Sequence, residues 1–123
     1  MYEIVVRDKF VASHSVFSSN GKKERPHAHT WQVEIAVRSK SLDKSGMVMN
    51  FIELKEILRR ELGLLNKTSL DIHPYFMEHM PTTENIARMI FDRMDPKVSS
   101  KRLTLHRVTV WETPDAAASY FHE

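Results

Sequence analysis

The chain has 123 residues, a length that fits one domain around a single core. Its 18 basic and 16 acidic residues leave a formal net charge of +2, too even a balance to point to nucleic acid as a partner. There is no cysteine, which excludes disulfides, thiolate metal sites and thiol nucleophiles, so any metal must be held by His, Asp or Glu.

The N-terminal "MYEIVVRDKF" does not read as a signal peptide, and no apolar run approaches a membrane span; a cytoplasmic protein without a membrane partner is the expectation. "YEIVVRDKFVAS" is rich in β-branched and aromatic residues and predicts a strand over about residues 2–13. "FSSNGKKER" carries turn residues and a basic cluster and reads as a loop. "HTWQVEIAVRSK" alternates again, predicting a second strand from about 29 to 40 that pairs antiparallel with the first.

After the loop "SLDKSG" the period changes. In "NFIELKEILRRELG", Phe51, Leu54, Ile57, Leu58 and Leu62 share a helical face, with charged residues outside it. Asn50 is the N-cap, Glu53 stands where a capping box has its acid, and Gly63 is the stop. "LNKTSLDIHPYFMEHMP" is long and irregular. "TTENIARMIFDRMDP" is a second amphipathic helix, with Ile86, Ile90 and Met94 as its stripe and a break before Pro96. "KRLTLHRVTVWET" predicts a third strand whose apolar side, Leu103, Leu105, Val108 and Val110, alternates imperfectly, and "DAAASYFHE" closes as a short fourth. The order ββααββ predicts an α+β domain over residues 1–123: a four-stranded antiparallel sheet with both helices on one face.

The chemistry concentrates in the histidines. His27 and His29, at i and i+2 on a strand, point to one side. His14 ends the first strand and comes level with them if the intervening loop folds the second strand back. Three imidazoles with an open fourth position make a zinc site of the catalytic kind. The competing explanation is coincidence, since seven histidines make some close pairs by chance. His73, His79, His106 and His122 read as surface or loop residues.

In order along the chain, "FVASHSVF", "PHAHTWQVEI", "SGMVMNFIELK", "PTTEN" and "VTVWETPDAAASY" resemble the 6-pyruvoyl-tetrahydropterin synthase / 6-carboxy-tetrahydropterin synthase family of tunnelling-fold proteins. The resemblance implies that His14, His27 and His29 bind Zn2+. It implies that Glu112 anchors a pterin ring, a carboxylate accepting two adjacent N–H donors in parallel. Thr82, Thr83 and Glu84 would help to hold the same ring. Without the resemblance, Glu112 reads as an edge-strand charge and either threonine as a helix cap. The resemblance also implies a barrel of several copies, commonly a homohexamer, with sites between subunits and "GMVMNF" reaching a neighbour's site.

The departures from the family pattern bear on the reaction. Lys23 stands where the family has a catalytic cysteine, Asn66 and Lys67 where it has an Asp-His pair, Ala28 inside the HxH, and Asn50 for an aspartate. The parts that hold the ring and the ion are kept and the proton-handling parts are replaced. The expectation is a zinc-dependent lyase that cleaves the side chain of 7,8-dihydroneopterin or its phosphate by a retro-aldol step. Glu24 is one candidate base, if the loop shifts by one residue. Lys67 is the other, if burial lowers its pKa. The usual synthase reaction with substitute residues, and a pterin- or purine-binding protein without catalysis, are the alternatives.

Overall fold

The computed structural model describes residues 1–123. Two 13-residue strands, β1 (Tyr2–His14) and β2 (His27–Ser39), form an unbroken antiparallel ladder from Tyr2 opposite Ser39 to His14 opposite His27. The helices α1 (Phe51–Gly63) and α2 (Thr83–Val98) follow, separated by a two-residue strand β3 (Thr68–Ser69) and two one-turn helices, Leu70–Ile72 and Pro74–Met77. Strands β4 (Thr104–Thr113) and β5 (Ala116–Tyr120) complete a sheet in the order β3-β1-β2-β4-β5.

The expected α+β architecture is present, with two corrections. The sheet has five strands, not four, and is not wholly antiparallel, because Thr68 and Ser69 pair parallel with Ala12 and Ser13. The second correction is at Pro96, which does not break α2: the helix runs on to Val98. A proline there removes only one N–H near the end of the helix, and buried Val98 holds the last turn against the core.

Alternation decides which way each strand faces. Val6, Phe10 and Ala12 of β1 and Trp31, Val33, Ile35 and Val37 of β2 are buried on the side where the helices pack. From above, Leu54, Leu58 and Leu62 of α1 and Ile86, Ile90 and Met94 of α2 close the same core. The imperfect alternation in β4 has a structural cause: a register shift opposite Ala36 and Val37 lets Leu105, Val108 and Val110 all face inward. Asn50 caps α1 as expected, its side chain accepting from the Ile52 N–H at 2.8 Å. Glu61 is buried between the helices, where Lys97 Nζ donates to it at 2.7 Å and Arg93 is its second partner. The helix pair is therefore fixed by charge as well as by apolar packing.

The segments read as loops are ordered. Residues 16–24 form a small hairpin, with Phe17 bridged to Lys23 and the Glu24 N–H donating to Val16 O at 2.9 Å. Gly21, at φ +81°, takes the left-handed turn at its tip. Leu70 and Phe76 bury the irregular stretch after α1.

Candidate functional site

His14 ends β1, and His27 and His29 begin β2, all on the helix-facing side of the sheet. Beyond Phe10 and Trp31, the apolar core gives way to these rings. Trp31, fully buried, underlies them with its ring centroid 4.9 Å from His14 and 5.2 Å from His29. Its Nε1–H donates to Ala12 O at 3.1 Å, which ties the ring to β1.

One potential ligand atom from each histidine lies within 4.8 Å of the others. Their tautomers follow from the backbone. His14 Nδ1 is 2.7 Å from Pro81 O and His27 Nδ1 is 3.2 Å from Arg25 O. A carbonyl can only accept, so both Nδ1 atoms carry hydrogen and both Nε2 atoms are left with a bare lone pair. Those two Nε2 atoms stand 3.0 Å apart. His29 Nε2 is buried with no hydrogen-bond partner. Converging lone pairs repel one another and an orphaned buried nitrogen is costly; a cation shared by the three removes both penalties. The donor set fits a divalent metal such as zinc. Burial holds the His29 imidazole below its ordinary pKa against the pull of Glu112, and His27 and His14 push the same way as burial, which keeps it in the ligating form.

Glu112, near the end of β4, brings Oε1 to 3.4 Å from His14 Nε2 and 4.0 Å from His29 Nε2. Thr83 Oγ1–H donates to the same oxygen at a long 3.5 Å. Thr82 instead caps α2, its hydroxyl accepting from the Asn85 N–H at 3.2 Å. A cavity of about 300 Å³ opens over His14 and His27, lined also by Glu24, Thr82, Thr83, Glu84 and Glu112. Of the nine residues singled out in the sequence, eight thus meet at one place.

Lys67 is the exception. It lies with Val11, Ser13 and Ala28, on the sheet face away from the helices, and so outside the histidine cavity of its own chain. Its backbone explains this. Lys67 adopts φ 60° and donates its N–H to Val11 O at 2.6 Å, while Asn66 Oδ1 accepts the Val11 N–H at 2.9 Å. The Asn66–Lys67 pair is docked on the edge of β1. Lys23 is also elsewhere, lining a neighbouring cavity with Asp71.

Two participants gave no signal in the sequence. The Pro81 carbonyl orients His14, and a carbonyl is invisible to residue type. Asp71 accepts the Ser15 N–H at 3.0 Å and the Ser15 hydroxyl at 2.6 Å, anchoring the residue after His14. Burial alone would raise the pKa of Asp71, but the Ser15 bonds, with Lys23 and His14 nearby, hold it below its ordinary value.

The family model described as 6-pyruvoyl tetrahydropterin synthase matches residues 3–123. The chain belongs to the 6-pyruvoyl tetrahydropterin synthase family. It is 33% identical over 108 residues to a 6-carboxy-5,6,7,8-tetrahydropterin synthase of Bacillus subtilis, covering 83% of this chain and 72% of the relative. A solved Caenorhabditis elegans 6-pyruvoyl tetrahydropterin synthase superposes with a TM-score of 0.85 at 23% identity, over 99% of this chain and 96% of the other. A Plasmodium vivax 6-pyruvoyltetrahydropterin synthase, in which a glutamate described as a catalytic residue is changed to alanine, gives 0.73 at 18% identity over 98% and 97%. The fold is thus that of the tetrahydropterin synthases, and the family is enzymatic. No helix is long and apolar enough to cross a membrane.

Proposed function

We infer that this chain is a zinc-dependent pterin-processing lyase that cleaves the side chain of 7,8-dihydroneopterin or its phosphate. The observation that carries this reading is the convergence of three ligating imidazoles, the Glu112–Thr83 pair and the Glu24 carboxylate on one cavity. When bound by His14, His27 and His29, zinc supplies Lewis acidity that lowers the pKa of a substrate hydroxyl. Glu112 accepts the paired N–H donors of the pterin ring, with Thr83 steadying the carboxylate. Glu24 takes the proton of the hydroxyl on the second side-chain carbon. The bond between the first and second carbons then breaks, its electron pair moves into the ring imine, and the first carbon is reprotonated. The products are 6-hydroxymethyl-dihydropterin and glycolaldehyde, or its phosphate.

Glu24 is favoured over Lys67 and Lys23 because it alone lines the histidine cavity. The hairpin over residues 16–24 ends with the Glu24 N–H bonded to Val16 O, which seats Glu24 in the wall of that cavity. A second reading, elimination of triphosphate from dihydroneopterin triphosphate, draws on the identity to the Bacillus subtilis 6-carboxy-5,6,7,8-tetrahydropterin synthase.

The open sheet face, the strand edges, and Phe51 and Ile52, 58% and 80% exposed at the start of α1, are consistent with a homo-oligomeric barrel, a hexamer by resemblance, with sites between copies. Lys67 takes part only if a second copy brings it to a site. The deciding experiment incubates zinc-loaded protein with dihydroneopterin and with its triphosphate and resolves the products by chromatography. Hydroxymethyl-dihydropterin supports the lyase; pyruvoyl or carboxy products overturn it in favour of the second reading.

A further inference from the structure

At the opposite end of the sheet from the histidines, where β2 ends and β4 begins, a cavity of about 630 Å³ is lined by Arg38, Lys40, Lys101 and Arg102 together with the hydroxyl-bearing Ser41 and Thr104. That volume suits a small molecule of nucleotide size. No acidic residue lines it. Arg38 has its charge met by Glu3, Nε to Oε1 at 2.8 Å. The other three cations have no such partner in the wall.

Arg102 is held in place by neutral acceptors. Its guanidinium donates to Ser41 O at 3.0 Å, Ser39 Oγ at 3.4 Å and Val48 O at 2.6 Å, drawing together the end of β2, the loop before α1 and the turn before β4. These three bonds leave N–H donors of the guanidinium unused and its charge uncompensated. A fixed guanidinium flanked by two flexible ammonium groups matches a group with several negative oxygens, the fork supplying geometry and the lysines point charges. Like charges gathered in a concave wall repel one another unless an anion joins them.

We propose that this cavity is a binding site for a small phosphate-bearing anion, of the di- or triphosphate class. From His29 to Arg38 along β2 is about 30 Å at the rise of a strand, too far for one small molecule to reach both within a chain. A nucleic acid would call for a basic stripe continuing beyond the cavity, and Glu3, paired with Arg38, stands at its edge instead.

The test is isothermal titration of the 123-residue, metal-loaded protein with inorganic triphosphate at physiological ionic strength, repeated with ATP to ask whether a base adds affinity. The expected result is one saturable site per chain, with Kd below about 1 mM. It weakens about tenfold or more in the Lys40→Ala/Lys101→Ala double variant and is unchanged in His29→Ala. Absence of saturable binding overturns the proposal. So does binding that survives the double variant but is lost in His29→Ala, since that anion sits on the histidines. Tight binding of a short DNA duplex with none of triphosphate overturns it as well. Circular dichroism of the double variant, whose altered side chains are exposed, shows whether it is folded.

Discussion

His14 and His27 face each other through Nε2 atoms 3.0 Å apart, and each ring turns its other nitrogen to a backbone carbonyl. Neither imidazole can relieve the repulsion by changing tautomer without losing its carbonyl bond. The structure therefore predicts one divalent ion per chain. His29→Ala should reduce zinc content after dialysis to a small fraction of that in the parent. Adding zinc to metal-free protein should raise its melting temperature, by an amount corresponding to about 2.7 kcal/mol at a hundredfold excess over Kd. Elemental analysis and thermal melts check both. A parent protein that emerges metal-free and shows no thermal response would refute the assignment.

Glu112 stands 3.4 Å from His14 Nε2 and accepts from Thr83 at 3.5 Å, in the wall of the cavity where the proposed function has it hold the pterin ring. Glu112→Gln keeps the shape and removes the charge. Pterin affinity should fall by a factor of about 10–100, the worth of one charge-assisted hydrogen-bond pair. Fluorescence titration with dihydroneopterin measures it, and an unchanged Kd would remove Glu112 from the site.

The hairpin puts Glu24 and its neighbour Lys23 into different cavities. Glu24→Gln should lower kcat by about 100-fold or more with little change in KM, as expected for loss of a base that acts only in the chemical step. Lys23→Ala should leave kcat within a factor of about three. The reverse pattern would make position 23 the working one and the hairpin geometry irrelevant to turnover.

Acid should unfold the protein through three carboxyls. In Glu34, Glu61 and Asp71, burial is the largest single influence and acts to raise the pKa. It is outweighed by hydrogen bonds from Arg107 and Arg7, from Lys97 and Arg93, and from Ser15, respectively. A carboxyl lowered in the folded state releases its proton more readily there than in the unfolded chain. Its stabilisation is present above the ordinary carboxylate range and lost as pH falls below about 4. His73 and His106, lowered chiefly by burial, add a shallower loss beginning below about pH 6.5. Melting temperature against pH should show both limbs. Glu61→Gln should flatten the acid one and cost about 1–2 kcal/mol at neutral pH, no more, because Arg93 and Lys97 are half exposed and can turn to water.

Much of the site was legible because it obeys strand parity. His27 and His29 share a face by spacing alone, and the ladder that ends with His14 opposite His27 brings in the third ring. Glu112 and the threonines came from resemblance, since an isolated carboxylate near a strand end carries no signal of its own. What the sequence hid is made by backbone. The Pro81 and Arg25 carbonyls choose the tautomers, and the Val11 amide and carbonyl capture Asn66 and Lys67, holding that lysine on the wrong face for its own histidines. Among the elements, the helices were plain from period, whereas β3 is too short for any pattern. Pro96 misled because its position in the last turn, not its identity, decides its effect.

The two long strands meet residue for residue over their full length. Pleating gives each successive place the opposite outlook, so the whole cluster of imidazoles depends on counting. Inserting a single amino acid between Phe10 and His14, or between His29 and Trp31, would turn the affected rings through the sheet to the face that carries Lys67 and leave the rest of the molecule nearly intact. Such a protein would keep its helices and lose its three-histidine cluster.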